Sequence, residues 1–258
     1  MKKSPLAPLL QRGDCIKLFL LLMLVSGLSS AADDFKTVDA AVPFAGVWLS
    51  EDYYNSINKF RSPKKAGASE YMVIPNRTLV EGTRGFNFHE AIGLGIFKNG
   101  EKYQTGSISN NGLSDIEVIS PTKLQIEGKS FVKINPVMKK RRGIELILEE
   151  ILFKGEYKDK DGKTIQFKRD GQVIGLEGFH YYAPLLDYAD AGLNIDMVIL
   201  GKTEKDLETP PVNFSKWFGF KFNKSHLELY KIKCLTYYEN ECVKVDFGQL
   251  VYKLRKIS

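Results

Sequence analysis

The chain has 258 residues, 43% of them hydrophobic. It is therefore long enough and apolar enough to bury a core. Its formal net charge is +6, but residues 1–31 hold four of the basic groups and one of the acidic groups. The remainder therefore carries 33 basic and 30 acidic groups. The basic run Lys139–Arg142 has no nucleic-acid motif around it and is interpreted as a solvated loop, so no nucleic-acid partner is expected.

The N-terminus has the pattern of an export signal. Four basic residues precede the apolar run Leu18–Val25, and the small residues Ser26–Ala32 follow it. This order predicts a cleaved secretory signal peptide over residues 1–32 and a periplasmic or extracellular mature chain. The apolar run is shorter than the about 18–20 residues of a spanning helix, so no membrane span is expected after cleavage. The alternative is an uncleaved anchor. Cys15 precedes the apolar run and is not placed for lipid modification.

The mature chain, residues 33–258, is predicted to form a single β-rich barrel-like domain. Pairs that favour tight hairpin turns recur at Asn99-Gly100, Asn111-Gly112, Asp161-Gly162 and Asp170-Gly171. Runs rich in β-branched and aromatic residues accompany them at 71–74, 116–119, 131–134, 164–167 and 243–247. The fold class predicted is all-β and mainly antiparallel, either one β-barrel or a barrel-like sandwich with one or two short helices. A similarity between residues 97–106 and 167–176 is what repeated hairpins produce, and no duplication is inferred from it.

Two segments carry helical patterns. Ser50 is a predicted N-cap, followed by a stripe of Tyr53, Ile57 and Phe60, and Pro63 is expected to end that helix. The segment Gly143–Phe153 fits both a helix and a strand, because its aliphatic residues satisfy both periods. A strand is favoured there, since hairpin-like sequence follows.

Two cysteines remain after the predicted cleavage, Cys234 and Cys242. An even number in an exported chain predicts one disulfide, which would hold a hairpin. A metal site is disfavoured, because no histidine lies within this segment.

Gly46-x-Trp48 resembles the first-strand element of the lipocalins and lipocalin-like proteins. The resemblance implies an eight-stranded up-and-down barrel in which Gly46 and Trp48 have structural roles and a basic residue near the last strand packs across the tryptophan. Arg255, or alternatively Lys253, matches that position. Leu186-Asp187-Tyr188 matches the family's middle element only in part, and the helix after Ser50 departs from the family pattern.

Catalytic motifs are absent from the sequence, which contains no nucleophile elbow, phosphate loop, dinucleotide fingerprint or zinc helix. The most site-like segment surrounds His180, where tyrosines and aspartates cluster, although core aromatics and turn-capping aspartates would give the same pattern. The candidate ligand-binding residues are Trp48, Tyr54, His89, His180, Tyr181, Tyr182, Asp187, Tyr188 and Trp217. No metal ligand or cofactor is predicted.

The sequence thus favours an exported soluble β-barrel that binds a small apolar or amphipathic ligand in its interior. Three alternatives stay open. One is an exported structural or protein-binding envelope component, and another is an integral outer-membrane barrel. The third is an enzyme of unknown class centred on His180 with Asp187, or on His89 with Glu90. The sequence leaves the oligomeric state undetermined.

Overall fold

The computed structural model describes residues 39–78, 80–86, 90–107, 112–135, 146–186, 193–208, 216–238 and 241–257. All of them belong to one compact unit spanning Thr37–Ser258. The predicted signal peptide, residues 1–32, lies outside the described residues. Within the described ranges the chain forms two antiparallel sheets of eight strands each, joined by a few short helices. The all-β, mainly antiparallel fold class is therefore confirmed.

The first sheet is a closed barrel in which each strand pairs with the next one along the chain. Its strands, β1 to β8, are Gly46–Ser50, Glu70–Ile74, Gly82–Phe86, Glu90–Asn99, Lys102–Ser107, Ser114–Ser120, Lys123–Ile126 and Lys129–Ile134. The barrel closes where β1 pairs with β8, with Trp48 directly opposite Lys133. This is an up-and-down barrel, an arrangement that leaves no free sheet edge.

The second sheet also has eight antiparallel strands, most of them paired with the next one along the chain. Its strands, β9 to β16, are Gly155–Lys158, Thr164–Phe167, Val173–Ile174, Tyr181–Pro184, Met197–Gly201, Trp217–Asn223, His226–Tyr238 and Glu241–Lys256. β16 returns to pair with β9, placing Lys256 opposite Tyr157. The two edge strands, β11 and β12, do not pair with each other. Gln172, the residue before β11, bridges to Tyr181 of β12, so this sheet also curls into a barrel-like form.

In the described part of the chain three short helices accompany the sheets: α1 (Glu51–Phe60), α2 (Pro63–Ala66) and α3 (Leu146–Leu148). α1 follows β1 as predicted and buries Tyr53 and Ile57, but Phe60 is exposed. It ends at Arg61, whose φ of 52° is left-handed. Pro63 does not end this helix but begins α2, where a proline that lacks an N–H is tolerated.

The strand favoured for Gly143–Phe153 is wrong within its described part. α3 continues into a π-helical turn, Glu149–Phe153, and a 3₁₀ turn forms later at Glu204–Glu208. Leu146, Ile147, Leu148, Leu152 and Phe153 are all fully buried. Glu149 is also 0% exposed, so the polar residues of this segment do not mark one exposed face, and their spacing does not distinguish a helix from a strand.

The turn predictions hold where the structure describes them. Gly100, Gly162 and Gly171 have φ values of 61°, 79° and 79°, as hairpin turns of this kind require. Asn111 lies outside the described residues. Cys234 and Cys242 form a disulfide between β15 and β16, with Cα atoms 5.9 Å apart, as predicted.

Both sheets begin with the same local construction. Phe44-Ala-Gly46-Val-Trp48 at β1 corresponds to Phe153-Lys-Gly155-Glu-Tyr157 at β9. In each, the first aromatic ring is buried, and its carbonyl accepts a hydrogen bond from the second aromatic. Trp48 Nε1 donates to Phe44 O at 2.9 Å, and Tyr157 Oη donates to Phe153 O at 2.8 Å.

The two glycines in this construction have left-handed φ values, 135° at Gly46 and 145° at Gly155, which an L side chain rarely adopts. A lysine from the last strand of each sheet covers the second aromatic ring. Lys133 Nζ lies 5.5 Å from the Trp48 centroid, and Lys256 Nζ lies 5.9 Å from the Tyr157 centroid.

The partner expected for Trp48 is therefore corrected. Lys133 covers Trp48, whereas Arg255 lies on β16 of the second sheet, opposite His226 and Lys158. Arg255 is one residue away from Lys256, which occupies the equivalent position over Tyr157.

Candidate functional site

The structure does not gather the sequence-predicted site residues into one place. Trp48 is fully buried in the first barrel, and Tyr182 is fully buried in the core of the second sheet, where its hydroxyl donates to Lys168 O. Trp217 is buried in a separate cluster with Met197 and Val245.

The remaining predicted residues are divided between the surface and segments that the structure does not describe. Tyr54 is half-buried against the core, Tyr181 is half-buried, and His180 is exposed. His89, Asp187 and Tyr188 lie outside the described residues. Neither predicted catalytic pair can therefore be placed as a pair.

The interior of the first barrel is occupied by its own side chains. Trp48, Met72, Ile96, Leu124 and Phe131 are each 0% exposed and belong to one apolar cluster. Interiors packed in this way resemble organic crystals and leave little room for a guest. Among the described residues, a cleft with space for a small ligand lies outside this barrel.

A cleft of about 400 Å³ lies where the helical segment after β1 meets the second sheet. Phe60, Arg61, Ser62, Lys64 and Lys65 line it from α1 and α2. The second sheet and the segment before β13 contribute Asn194, Ile195, Asp196, Lys221, Phe222, Asn223, Glu228 and Phe247. A volume of this size is typical of pockets for small molecules.

Aromatic rings and cations alternate along this cleft. The Arg61 guanidinium lies 4.4 Å from the centroid of the Phe222 ring, and Lys221 Nζ lies 3.8 Å from that of Phe247. Arg61 is further held by a hydrogen bond from Nη2 to Leu152 O at 3.0 Å. Because each of these cations lies over an aromatic ring, the cleft is lined by apolar ring surface and positive charge together.

The cleft carries an excess of positive charge. Arg61, Lys64, Lys65 and Lys221 provide four cations against the carboxylates of Asp196 and Glu228. Lys64 Nζ donates to Leu193 O at 3.0 Å, while its backbone N–H donates to Asp196 Oδ1 at 3.0 Å.

Asp196 is a half-buried carboxylate of this cleft, and Glu228 is buried. Burial raises the pKa of Asp196, while hydrogen bonds from Ser62 and from the Lys64 backbone N–H oppose that rise, as do the charges of Lys64 and Lys65. The net direction is upward, so the protein environment disfavours the ionised form.

Replacing Asp196 with asparagine should therefore improve stability most at neutral pH. A raised folded-state pKa gives stability that is present below the unfolded-state value and lost as the pH rises through the folded-state value. Asparagine retains an acceptor for Lys64 N–H but cannot ionise. The free energy of unfolding of Asp196→Asn, measured in urea relative to wild type, should increase between pH 4 and pH 7. An unchanged difference across that range would contradict this.

Sequence reasoning missed this cleft, because its residues come from five separated segments. Two local signals were available: the basic run from Arg61 to Lys65, and the alternating rings of Phe218, Phe220 and Phe222. Neither signal indicates the other, because only the tertiary fold brings Arg61 against Phe222.

Comparisons of the chain with protein-family models, with curated proteins and with solved structures each found no match. Among the described residues, no helix has the length and apolar character needed to cross a membrane. In the same part of the chain, no three histidine, cysteine or acidic side chains come together in a way that could hold a metal ion.

Proposed function

We propose that the protein is an exported binding protein for a small amphipathic ligand with an anionic head group, held in the cleft between α1–α2 and the second sheet. The observation that carries the proposal is the pairing of aromatic surface with an excess of cations over carboxylates in one space of about 400 Å³. An apolar chain would lie against Phe60, Phe222 and Phe247. A carboxylate would be bound by Lys65 and Lys221.

The proposal includes export and a relationship to the lipocalins, and separate features support each of them. The pattern of residues 1–32 is that of a signal peptide, and a disulfide such as Cys234–Cys242 persists best in an oxidising compartment. The proposed relationship to lipocalins is supported by Gly46-x-Trp48 at the start of an eight-stranded up-and-down barrel. The site proposed here nevertheless lies outside that barrel.

The test uses a fluorescent fatty acid, dansylundecanoic acid, added to the mature protein. Its emission should rise and saturate on binding, and lauric acid should displace it far better than 1-dodecanol, because only the acid carries the anionic head. Equal displacement by the two competitors would contradict the anionic specificity. The absence of any saturable signal would refute the proposed function and favour the protein-binding alternative.

The role proposed for Lys65 and Lys221 in binding the carboxylate is tested by the double substitution Lys65→Gln and Lys221→Gln. Both lysines are exposed, so folding should be preserved, and affinity for the fatty acid should fall about tenfold. The matched control is Lys231→Gln with Lys233→Gln, which removes the same charge from exposed positions of β15 that do not line the cleft. The control should bind as wild type does, and an equal loss in both variants would show general electrostatic attraction.

A further inference from the structure

A row of basic side chains crosses three strands on the outer face of the second sheet. Arg255 on β16 lies directly opposite Lys158 on β9 and directly opposite His226 on β15. These three residues are called the basic row. Their chain neighbours Tyr157, Leu254 and Leu227 are 0% exposed, and because side chains alternate along a strand, the basic row faces outward.

The basic row lines a concavity of about 380 Å³, distinct from the cleft proposed above. Lys160 and Lys253 add two further cations to its lining, and Asp159 and Gly162 complete it. The lining of the concavity thus contains three lysines, one arginine and one histidine, with one carboxylate.

The nearby carboxylates are already engaged. Asp159 Oδ1 accepts the backbone N–H groups of Asp161 and Lys163, each at 2.9 Å, and so holds the turn between β9 and β10. Glu228 accepts from the Tyr230 hydroxyl at 2.7 Å, and its other oxygen lies 3.4 Å from Lys253 Nζ. Within the described part of the chain, Lys158, Lys160 and Arg255 form no ion pair.

Like charges placed directly opposite each other across strands destabilise a sheet. Lys158 and Arg255 adopt this arrangement at the point where β16 closes onto β9 by only two residue pairs. A bound anion would remove that repulsion. A guanidinium between an ammonium group and an imidazole offers several donors, which suit the oxygens of a tetrahedral anion better than the two oxygens of a carboxylate.

We infer that the concavity around Lys158, Arg255 and His226 is a binding site for a tetrahedral oxyanion, a phosphate or sulfate group either free or carried as a monoester. The concavity shares no lining residue with the cleft between α1–α2 and the second sheet, and the inference does not rest on the function proposed for that cleft. The Arg255 guanidinium and the Lys158 ammonium hold the oxygens, Lys160 covers the anion from the turn, and His226 donates a further hydrogen bond.

The experiment is calorimetric titration of the mature protein in chloride buffer at fixed ionic strength, with three probes: inorganic phosphate, inorganic sulfate and glycerol 3-phosphate. Saturable binding at one site is expected. Tighter binding of glycerol 3-phosphate indicates a monoester as the ligand, and tighter binding of an inorganic anion indicates the free ion. Heat that rises without saturation for all three probes would overturn the inference.

The decisive variant is Lys158→Gln with Arg255→Gln, which should weaken binding of the preferred probe at least tenfold. The control Lys231→Gln with Lys233→Gln changes the net charge equally at exposed positions of β15 outside the site and should bind normally. An equal loss in both variants would refute a defined site. The single change Lys160→Gln, in a turn outside the strand ladder, provides a second test, with an expected loss of about threefold.

Two further results separate this site from the cleft. Lys65→Gln with Lys221→Gln should keep oxyanion binding, while Lys158→Gln with Arg255→Gln should keep fatty-acid binding. The oxyanion should also raise the melting temperature of wild type and leave that of Lys158→Gln with Arg255→Gln unchanged. Loss of both activities in either variant would contradict the existence of two independent sites.

Discussion

Replacement of Trp48 by alanine is expected to lower the free energy of unfolding by about 3–5 kcal/mol, the usual loss for a large aromatic side chain in a packed core. Trp48 is 0% exposed and lies at the closure of the first barrel, between Met72 of β2 and Lys133 of β8. The change would open a cavity and remove the hydrogen bond to Phe44 O. Urea unfolding at neutral pH measures the loss.

Two variants control this prediction. Trp48→Phe keeps most of the ring volume but lacks the N–H donor, so its destabilisation should be clearly smaller than that of alanine. Phe60→Ala, at a ring that is 45% exposed, should change stability by less than about 1 kcal/mol. A Trp48→Ala protein within about 1 kcal/mol of wild type would mean that Trp48 does not hold the barrel closed.

Replacement of Phe153 by alanine should also cost about 3–5 kcal/mol, through the core of the second sheet. The Phe153 ring is 0% exposed and stands at the centre of an aromatic cluster. Its centroid lies 5.0 to 5.9 Å from those of Phe167, Tyr182, Phe220 and Phe222. Such pairs add to the stability gained from burial alone.

Phe153→Leu distinguishes volume from aromatic pairing. Leucine restores much of the apolar volume, so it should recover part of the loss but not the contribution of the ring pairs. Equilibrium unfolding followed by near-ultraviolet circular dichroism measures both variants. Equal stability of Phe153→Ala and wild type would contradict a central role for this ring.

The local features of the fold could be predicted from the sequence. Turns at Gly100, Gly162 and Gly171, the helix after Ser50 and the Cys234–Cys242 disulfide depend on short-range chemistry, which the residues themselves carry. Glycine tolerates positive φ in any context. Two cysteines that are close in sequence are brought together by a single hairpin, whatever the rest of the fold.

The presence of a second eight-stranded sheet that begins like the first could not be predicted from local sequence. Its clearest sign is the correspondence between Trp48 and Tyr157, which share a hydrogen-bond pattern and a covering lysine but not a residue type. The similarity between residues 97–106 and 167–176 does not mark this repeat, because those segments lie at β4–β5 and β10–β11, which are not equivalent hairpins.

The candidate site was also beyond sequence reasoning, for a related reason. Arg61, Asp196, Lys221 and Phe247 come from distant parts of the chain and meet only because the second sheet packs beside α1 and α2. The assignment of Arg255 to Trp48 failed because the last basic strand of the chain closes the second sheet and not the first.

The consecutive strand order of the first barrel has a consequence for synthesis on the ribosome. Every strand that this barrel needs precedes Asn135, so it can close before β9 has emerged. Yet Val47, Leu49, Tyr71 and Ile134 are buried in the cluster shared with the second sheet. A nascent chain would therefore present a finished barrel with an uncovered apolar stripe, the kind of surface that chaperones shield until the rest of the polypeptide arrives.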